Sequence, residues 1–275
     1  MRTATALVAA SMLVLGASTA LAQTLSSRPS LFDCVIEPRA MINVGSSADG
    51  ILDEIAVDRG DHVEKGQVLA RLEASLAKVE VEIAQVRADA DADLLSSKAR
   101  LEHLSRRAGR VAELFSRKVA SAESRDEAMT EKLLAEHGVR ESELNRKLRA
   151  VELKRAREVL ARRTIRSPVT GIVHQRLMAP GEFVHEQVAV LTLAEIDPLN
   201  VEVFLPISLY GKVRLGMAAE VMPVAPVGGV HKATVTVVDQ VFDAASGTLG
   251  VRLELPNPDF KLPAGLACSV RFATD

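Results

Sequence analysis

Along most of the chain apolar and polar residues alternate in short runs, but from Leu72 to Arg163 the rhythm lengthens to that of a helix. This stretch holds no proline and two glycines, Gly109 and Gly138, while Ala, Leu, Glu, Lys and Arg fill most of it. Such composition predicts two antiparallel helices. In the first arm Leu76, Ile83, Ala90, Ser97, Leu104 and Val111 fall seven apart, the repeat of a helix that buries a seam against a partner. A second row begins at Val79 and Val86 and resumes one residue out of phase at Leu94, Leu101, Ala108 and Phe115, so the seam drifts, as a gently coiled hairpin allows. In the second arm Met129, Leu133, Leu144, Leu148, Val151 and Leu160 carry a weaker stripe. Gly138 is either a place for that arm to kink or a tolerated surface glycine. At 1.5 Å per residue each arm reaches roughly 60 Å, too long to lie inside a domain of this size. The pair must project.

The flanks explain how the two ends of the rod meet. Asp49-Gly50-Ile51-Leu52, then Gly60, Val63 and Leu72, recur as Thr170-Gly171-Ile172-Val173, then Gly181, Val184 and Leu193, at a constant offset of 121 positions. Each half alternates apolar and polar residues, with Gly50, Gly60, Gly171 and Gly181 expected where strands turn tightly. Two such halves, sealed into one small sandwich, would close the base of the hairpin.

These residues resemble a known family. Gly50-Ile51-Leu52 followed by Val57-Asp58-Arg59-Gly60-Asp61-His62-Val63-Glu64-Lys65-Gly66-Gln67-Val68-Leu69-Ala70, with Arg166-Ser167-Pro168-Val169-Thr170-Gly171-Ile172-Val173 after the hairpin, is similar to the split lipoyl (biotinyl-like) domain of periplasmic adaptor subunits. These are the membrane fusion proteins of the HlyD and RND-efflux type. Beyond Leu193, short alternating runs at Leu199–Leu205, Ala218–Val224, His231–Phe242, Thr248–Leu255 and Leu266–Phe272 read as a small antiparallel barrel, to which Phe32–Glu37 adds a sixth strand. Asn200-Val201-Glu202-Val203, Leu215-Gly216-Met217 and Leu262-Pro263-Ala264-Gly265-Leu266 resemble the barrel domain that follows the lipoyl domain in the same family.

The expected organisation is therefore an elongated α+β chain in which an α-helical coiled-coil hairpin (73–163) interrupts a split lipoyl-like β-sandwich (46–72 and 164–194). A small antiparallel β-barrel (195–275) follows, and N-terminal strands at 31–45 join it. Residues 1–22 read as a secretory signal, with Arg2, an apolar run centred on Leu7 to Leu15 and the exit Ala20-Leu21-Ala22. Many adaptors carry a further membrane-proximal domain; with about ten residues between that exit and Leu31, it is expected to be absent or a stub. A formal charge of −2 gives no reason to invoke nucleic acid. Export also bears on Cys34 and Cys268, one in the first barrel strand and one in the last, which an oxidising compartment permits to pair; buried free thiols are the alternative.

The resemblance places chemistry at the hairpin tip rather than in a pocket. Arg110, Leu114 and Ser121 have the spacing R-x3-L-x6-S, similar to the motif by which adaptor hairpins meet a TolC-like outer-membrane channel. An arginine can fork to acceptors on a partner helix, a leucine supplies an apolar knob and a serine can cap the returning helix. The pattern is weak alone, but the midpoint of the insertion falls near residue 118, beside it. No lysine flanked by methionines occupies the turn that carries a swinging prosthetic group in true lipoyl carriers, so no cofactor is expected. Asp58, Asp61 and Glu64 beside His62 are read as solvated residues around the turn at Gly60, and no metal-ligand spacing or catalytic motif appears. The expectation is a non-enzymatic periplasmic adaptor, held at the inner membrane through protein contacts. It would link a transporter, RND-type for preference or ABC-type, to a TolC-like channel, as a ring of about six copies. A periplasmic coiled-coil scaffold outside transport is the alternative.

Overall fold

The computed structural model describes residues 31–273. The signal read at 1–22 lies outside the described residues. Twelve strands and three α-helices build a helical hairpin, a β-sandwich and a closed β-barrel. Among the described residues no helix is long and apolar enough to cross a membrane.

The sandwich shows why the internal repeat exists. Its first half contributes β2 (Gly50–Ile55), β3 (His62–Val63) and β4 (Val68–Leu72); its second contributes β6 (Gly171–Arg176), β7 (Phe183–Val184) and the start of β8 (Ala189–Pro206). The halves exchange partners: β2 pairs with β7 and β3 with β6. Equivalent backbone bonds follow the 121-residue offset, Gly60 N–H to Val173 carbonyl (2.9 Å) answering Gly181 N–H to Leu52 carbonyl (2.7 Å). The core follows the offset too: Leu52, Val63 and Leu72 are buried together with Val173, Val184 and Leu193. Even the buried serines match, each hydroxyl donating to the carbonyl two residues on, Ser46 to Ala48 and Ser167 to Val169. The repeat extends to β5 (Thr164–Arg166), whose pairing with β4 repeats that of the end of β1 (Phe32–Gly45) with β8.

Of the four glycines expected in turns, two are there. Gly60 and Gly181 have φ of +92° and +91°, a conformation that side chains with a Cβ rarely adopt. Gly50 and Gly171 instead open strands β2 and β6. They are glycines for close approach: a Cβ on Gly171 would strike the Ala194 carbonyl, and one on Gly50 the Arg163 guanidinium.

The barrel closes through β1, β12 (Leu266–Phe272), β9 (Ala218–Pro223), β10 (His231–Val238), β11 (Thr248–Leu255) and β8, with β8 returning to β1. Its core includes Ile36, Leu199, Val201, Leu205, Val221, Leu253 and Val270. The boundary expected at 194/195 falls inside one strand, because β8 runs unbroken from sandwich to barrel and β1 accompanies it along most of its length. Cys34 and Cys268 face each other in register on β1 and β12 and are joined as a disulfide.

The hairpin consists of α1 (Ser75–Asp89), α2 (Ala92–Ser116) and α3 (Ala122–Ala161); α1 and α2 pack along α3, and none of the three makes more than marginal contact with a strand. The second arm is one helix of 40 residues, about 60 Å, uninterrupted at Gly138. The first arm breaks at Ala90–Asp91, where Arg149 donates to the Ala90 carbonyl (3.2 Å) and to Asp93 (2.9 Å). The seam corrects the expected stripes. In α2 the rows hold: Leu94 and Ala108 are buried, Leu101, Leu104, Val111 and Phe115 are half-buried, and Ser97 bonds Ser142 at 2.8 Å. In α1, Leu76, Val79, Ile83 and Val86 lie outside, and Ala77, Val81, Ala84 and Ala88 face α3. In α3, Met129, Leu133, Leu144, Leu148 and Val151 are likewise exposed; Ala128, Ala135, Ser142, Leu153 and Ala156 form the contact face. Small side chains let the helices approach closely, and their weak hydropathy hides them from a reading based on large apolar residues.

Because Gly171 is crowded by backbone, Gly171→Ala should destabilise the chain by about 1–3 kcal/mol. Gly138→Ala, in open space within α3, should stabilise it by about 0.5–1 kcal/mol. Urea denaturation followed by circular dichroism measures both.

Candidate docking site at the hairpin tip

The turn between α2 and α3 is built by backbone bonds that close each helix. At the end of α2, Val119 N–H donates to the Leu114 carbonyl and Lys118 N–H to the Phe115 carbonyl, both at 2.9 Å, the paired bonds of a Schellman C-cap. Lys118 occupies its left-handed position with φ +62°, where glycine is usual. Ser121 then caps α3: its hydroxyl accepts from Ser124 N–H at 3.1 Å, satisfying one of the free donors of the first turn. Across the turn the Arg125 guanidinium carbon stands 4.5 Å above the Phe115 ring and the same side chain bonds Asp126, tying the two helices together.

Of the three residues singled out in the sequence, Ser121 thus works within the turn, while Arg110 and Leu114 point elsewhere. They lie one helical turn apart on α2, on a flank turned from α3, and Leu114 keeps 43% of its surface exposed. Among the described residues Arg110 has no ion pair, although neighbouring Arg106, Arg107 and Arg117 each bind a glutamate. Val119, 72% exposed at the apex, adds an apolar tip that the sequence reading passed over. The arrangement offers a capped turn, an exposed guanidinium with five donors and two exposed apolar side chains on one end of the hairpin.

The remaining singled-out residues lie in the sandwich and barrel. Around Gly60, Arg59 N–H donates to the Asp58 carboxylate (2.8 Å) and Asp58 N–H to Asp61 (2.7 Å). That backbone donor, helped by the Arg176 guanidinium, holds the Asp58 carboxyl below its ordinary range. These acids serve a turn. Among the described residues no cluster of His, Cys, Asp or Glu could hold a metal ion.

Residues 40–195 match the family model described as "CzcB-like, barrel-sandwich hybrid domain". The chain belongs to that family, the CzcB-like membrane fusion proteins. In keeping with this, residues 199–275 of this CzcB-like chain match the description "CusB-like, beta-barrel domain". Over 228 residues it is 27% identical to the macrolide export protein MacA of Yersinia pestis, covering 79% of this chain and 60% of that protein. Over 221 residues it is 24% identical to the cation efflux system protein CzcB of Alcaligenes sp., covering 80% of this chain and 40% of that one. The chain thus spans between two fifths and three fifths of the length of these relatives. In fold it is similar to the crystal structure of MacA from Actinobacillus actinomycetemcomitans, with a TM-score of 0.73 at 18% identity over 89% of this chain and 78% of that one. A chimera of MacA carrying the α-hairpin domain of Pseudomonas aeruginosa MexA gives a TM-score of 0.53 at 18% identity, covering 90% and 82%.

Lys118 provides a test of the turn. Lys118→Gly should stabilise the tip by up to about 1 kcal/mol and Lys118→Val should destabilise it by about 1–2 kcal/mol, since a left-handed backbone penalises a Cβ and penalises branching more. Hydrogen exchange of the amides at 117–121 reads the difference.

Proposed function

We propose that this chain is a periplasmic adaptor of a tripartite efflux system, linking an inner-membrane transporter to a TolC-like outer-membrane channel. The observation that carries the proposal is the tip: a helical hairpin held at its base by a split sandwich presents an exposed Arg110 and Leu114, and among the described residues Arg110 has no ion pair. Family membership supports it, as do relatives named for macrolide export and for cation efflux. Those names concern unlike substrates, which supports reading the shared architecture as the link and not as the element that selects the cargo.

The work is mechanical. The hairpin acts as an elongated coiled-coil strut, and the barrel and sandwich pack against the transporter, RND-type or ABC-type, which supplies the energy. About six copies form a ring, so many narrow tips combine into one strong attachment. The adaptor is held at the inner membrane by its protein partners, in an oxidising compartment where the bond between Cys34 and Cys268 persists.

Replacing Arg110 by Asp together with Leu114 by Ser should abolish cross-linking to the outer-membrane channel and reduce efflux to the level of a deletion strain, with the circular dichroism spectrum unchanged. Transport at the unmodified level would refute docking through the tip. Intact-mass measurement of protein isolated from the envelope should show alkylation of both cysteines only after reduction.

A further inference from the structure

The two halves of the sandwich match residue for residue, yet only one has the barrel against its outer face, and there Ile172 is half-buried while His62 stays exposed. On β3 and β6, His62 pairs in register with Ile172, and the segment between β11 and β12 lies over them. Phe260 meets the His62 ring edge to face with centroids 5.1 Å apart, Ile172 packs against the barrel core, and Pro263 and Ala264 line the same cleft as Ile172. The 121-residue offset carries Ile172 onto Ile51 and His62 onto Phe183, which pair in register on β2 and β7. No part of the described chain closes this second face: Ile51 is 49% and Phe183 53% exposed. Along its rim Asp49, Glu182 and Glu186 are exposed, three carboxylates against the single Arg163 guanidinium that donates to the Asp49 carbonyl, and His185 stands against Phe183 at 4.9 Å.

The segment against the first face shows what kind of group fits the second: a proline-containing loop that turns apolar side chains, here Phe260, Pro263 and Ala264, toward the strands while its charged Asp259 and Lys261 pair with each other. The chain presents another such loop. From Val224 to Val230, between β9 and β10, seven residues carry no charge, Val224, Val227 and Val230 are exposed, and the basic Lys232 stands just beyond. Gly228 and Gly229, with φ of +59° and +84°, shape it.

We propose that Ile51 and Phe183 receive the Val224–Val230 loop of a neighbouring copy of this chain. Receptor face and loop are different surfaces of one molecule, so the contact is head-to-tail, the kind of contact from which a ring is built when the rotation between copies closes. Apolar burial supplies affinity, and Lys232 against the acidic rim sets orientation. The inference rests on the self-associating adaptor reading and adds the surfaces that meet.

In the full chain, with its own cysteines bonded, Phe183→Cys and Val227→Cys are introduced singly and together and treated with a short bismaleimide. The double variant should give a ladder of covalent oligomers and each single variant none. Separately, the pair Ile51→Ser and Phe183→Ser should raise the concentration for self-association, measured by sedimentation velocity, about tenfold or more, with the thermal melt unchanged. Absence of the ladder while the unmodified chain still sediments as an oligomer would overturn this surface and leave ring formation standing. An unmodified chain that stays monomeric over the same concentrations would overturn both. Cross-links from the Phe183→Cys variant to an inner-membrane protein, without a ladder in the double variant, would assign the face to the transporter and reject a second copy.

Discussion

The structure depends on an exchange of backbone hydrogen bonds between two segments more than a hundred residues apart. Neither half of the sandwich completes its own sheet: β2 needs β7, and β3 needs β6. Unpaired, those N–H and C=O groups would be buried without partners, which the interior penalises heavily. The halves therefore form together or not at all, and their union brings Leu72 and Arg163 side by side, Leu72 N–H donating to the Arg163 carbonyl at 2.8 Å. The feet of the hairpin are fixed by that closure, and Arg163, whose guanidinium donates to the Asp49 carbonyl at 2.9 Å, ties the second arm to the start of β2.

Much of this was legible because repetition is a strong signal. The spacing of Gly60 and Gly181, and of Leu52 and Val173, marks matching halves whatever the individual propensities say, and the six barrel strands announced themselves by alternation between proline and glycine breaks. Gly50 and Gly171 show the limit: a glycine that admits a neighbouring chain and a glycine that turns look identical in sequence. The hairpin shows another. In α1 and α3 much of its seam is lined by Ala77, Ala128 and Ala135, and apolar side chains such as Leu144 and Val151 face outward, so there hydropathy points to the wrong side, whereas in α2 it points to the right one. At the break at Ala90–Asp91 the freed Ala90 carbonyl is met by Arg149, fifty-nine positions away, a partner that no local pattern announces.

At the tip the division of labour was readable only in part. Ser121 was recognisable as a cap by residue type and position. Lys118 was not, because the left-handed site at the end of a helix usually advertises itself with glycine. Val119 is conspicuous only once the turn places it at the apex, and Phe115 beneath Arg125 becomes a tie only when both helices are present. What remained visible throughout was chemistry without an internal use: a guanidinium and a leucine on one flank, next to Arg106 and Arg107, which each hold a glutamate.

The two ends of the sandwich are joined to the rest of the molecule in different ways. Toward the barrel, β1 and β8 pass through without interruption, so no peptide linker exists at which the two could be cut apart and rejoined. Toward the hairpin, the attachment is a short antiparallel ladder of β4 and β5, and the helices beyond it lean on each other. Rods of other lengths can be grafted at that ladder without disturbing the base, and over evolutionary time one foundation can be fitted to envelopes of different depth by exchanging a single insertion.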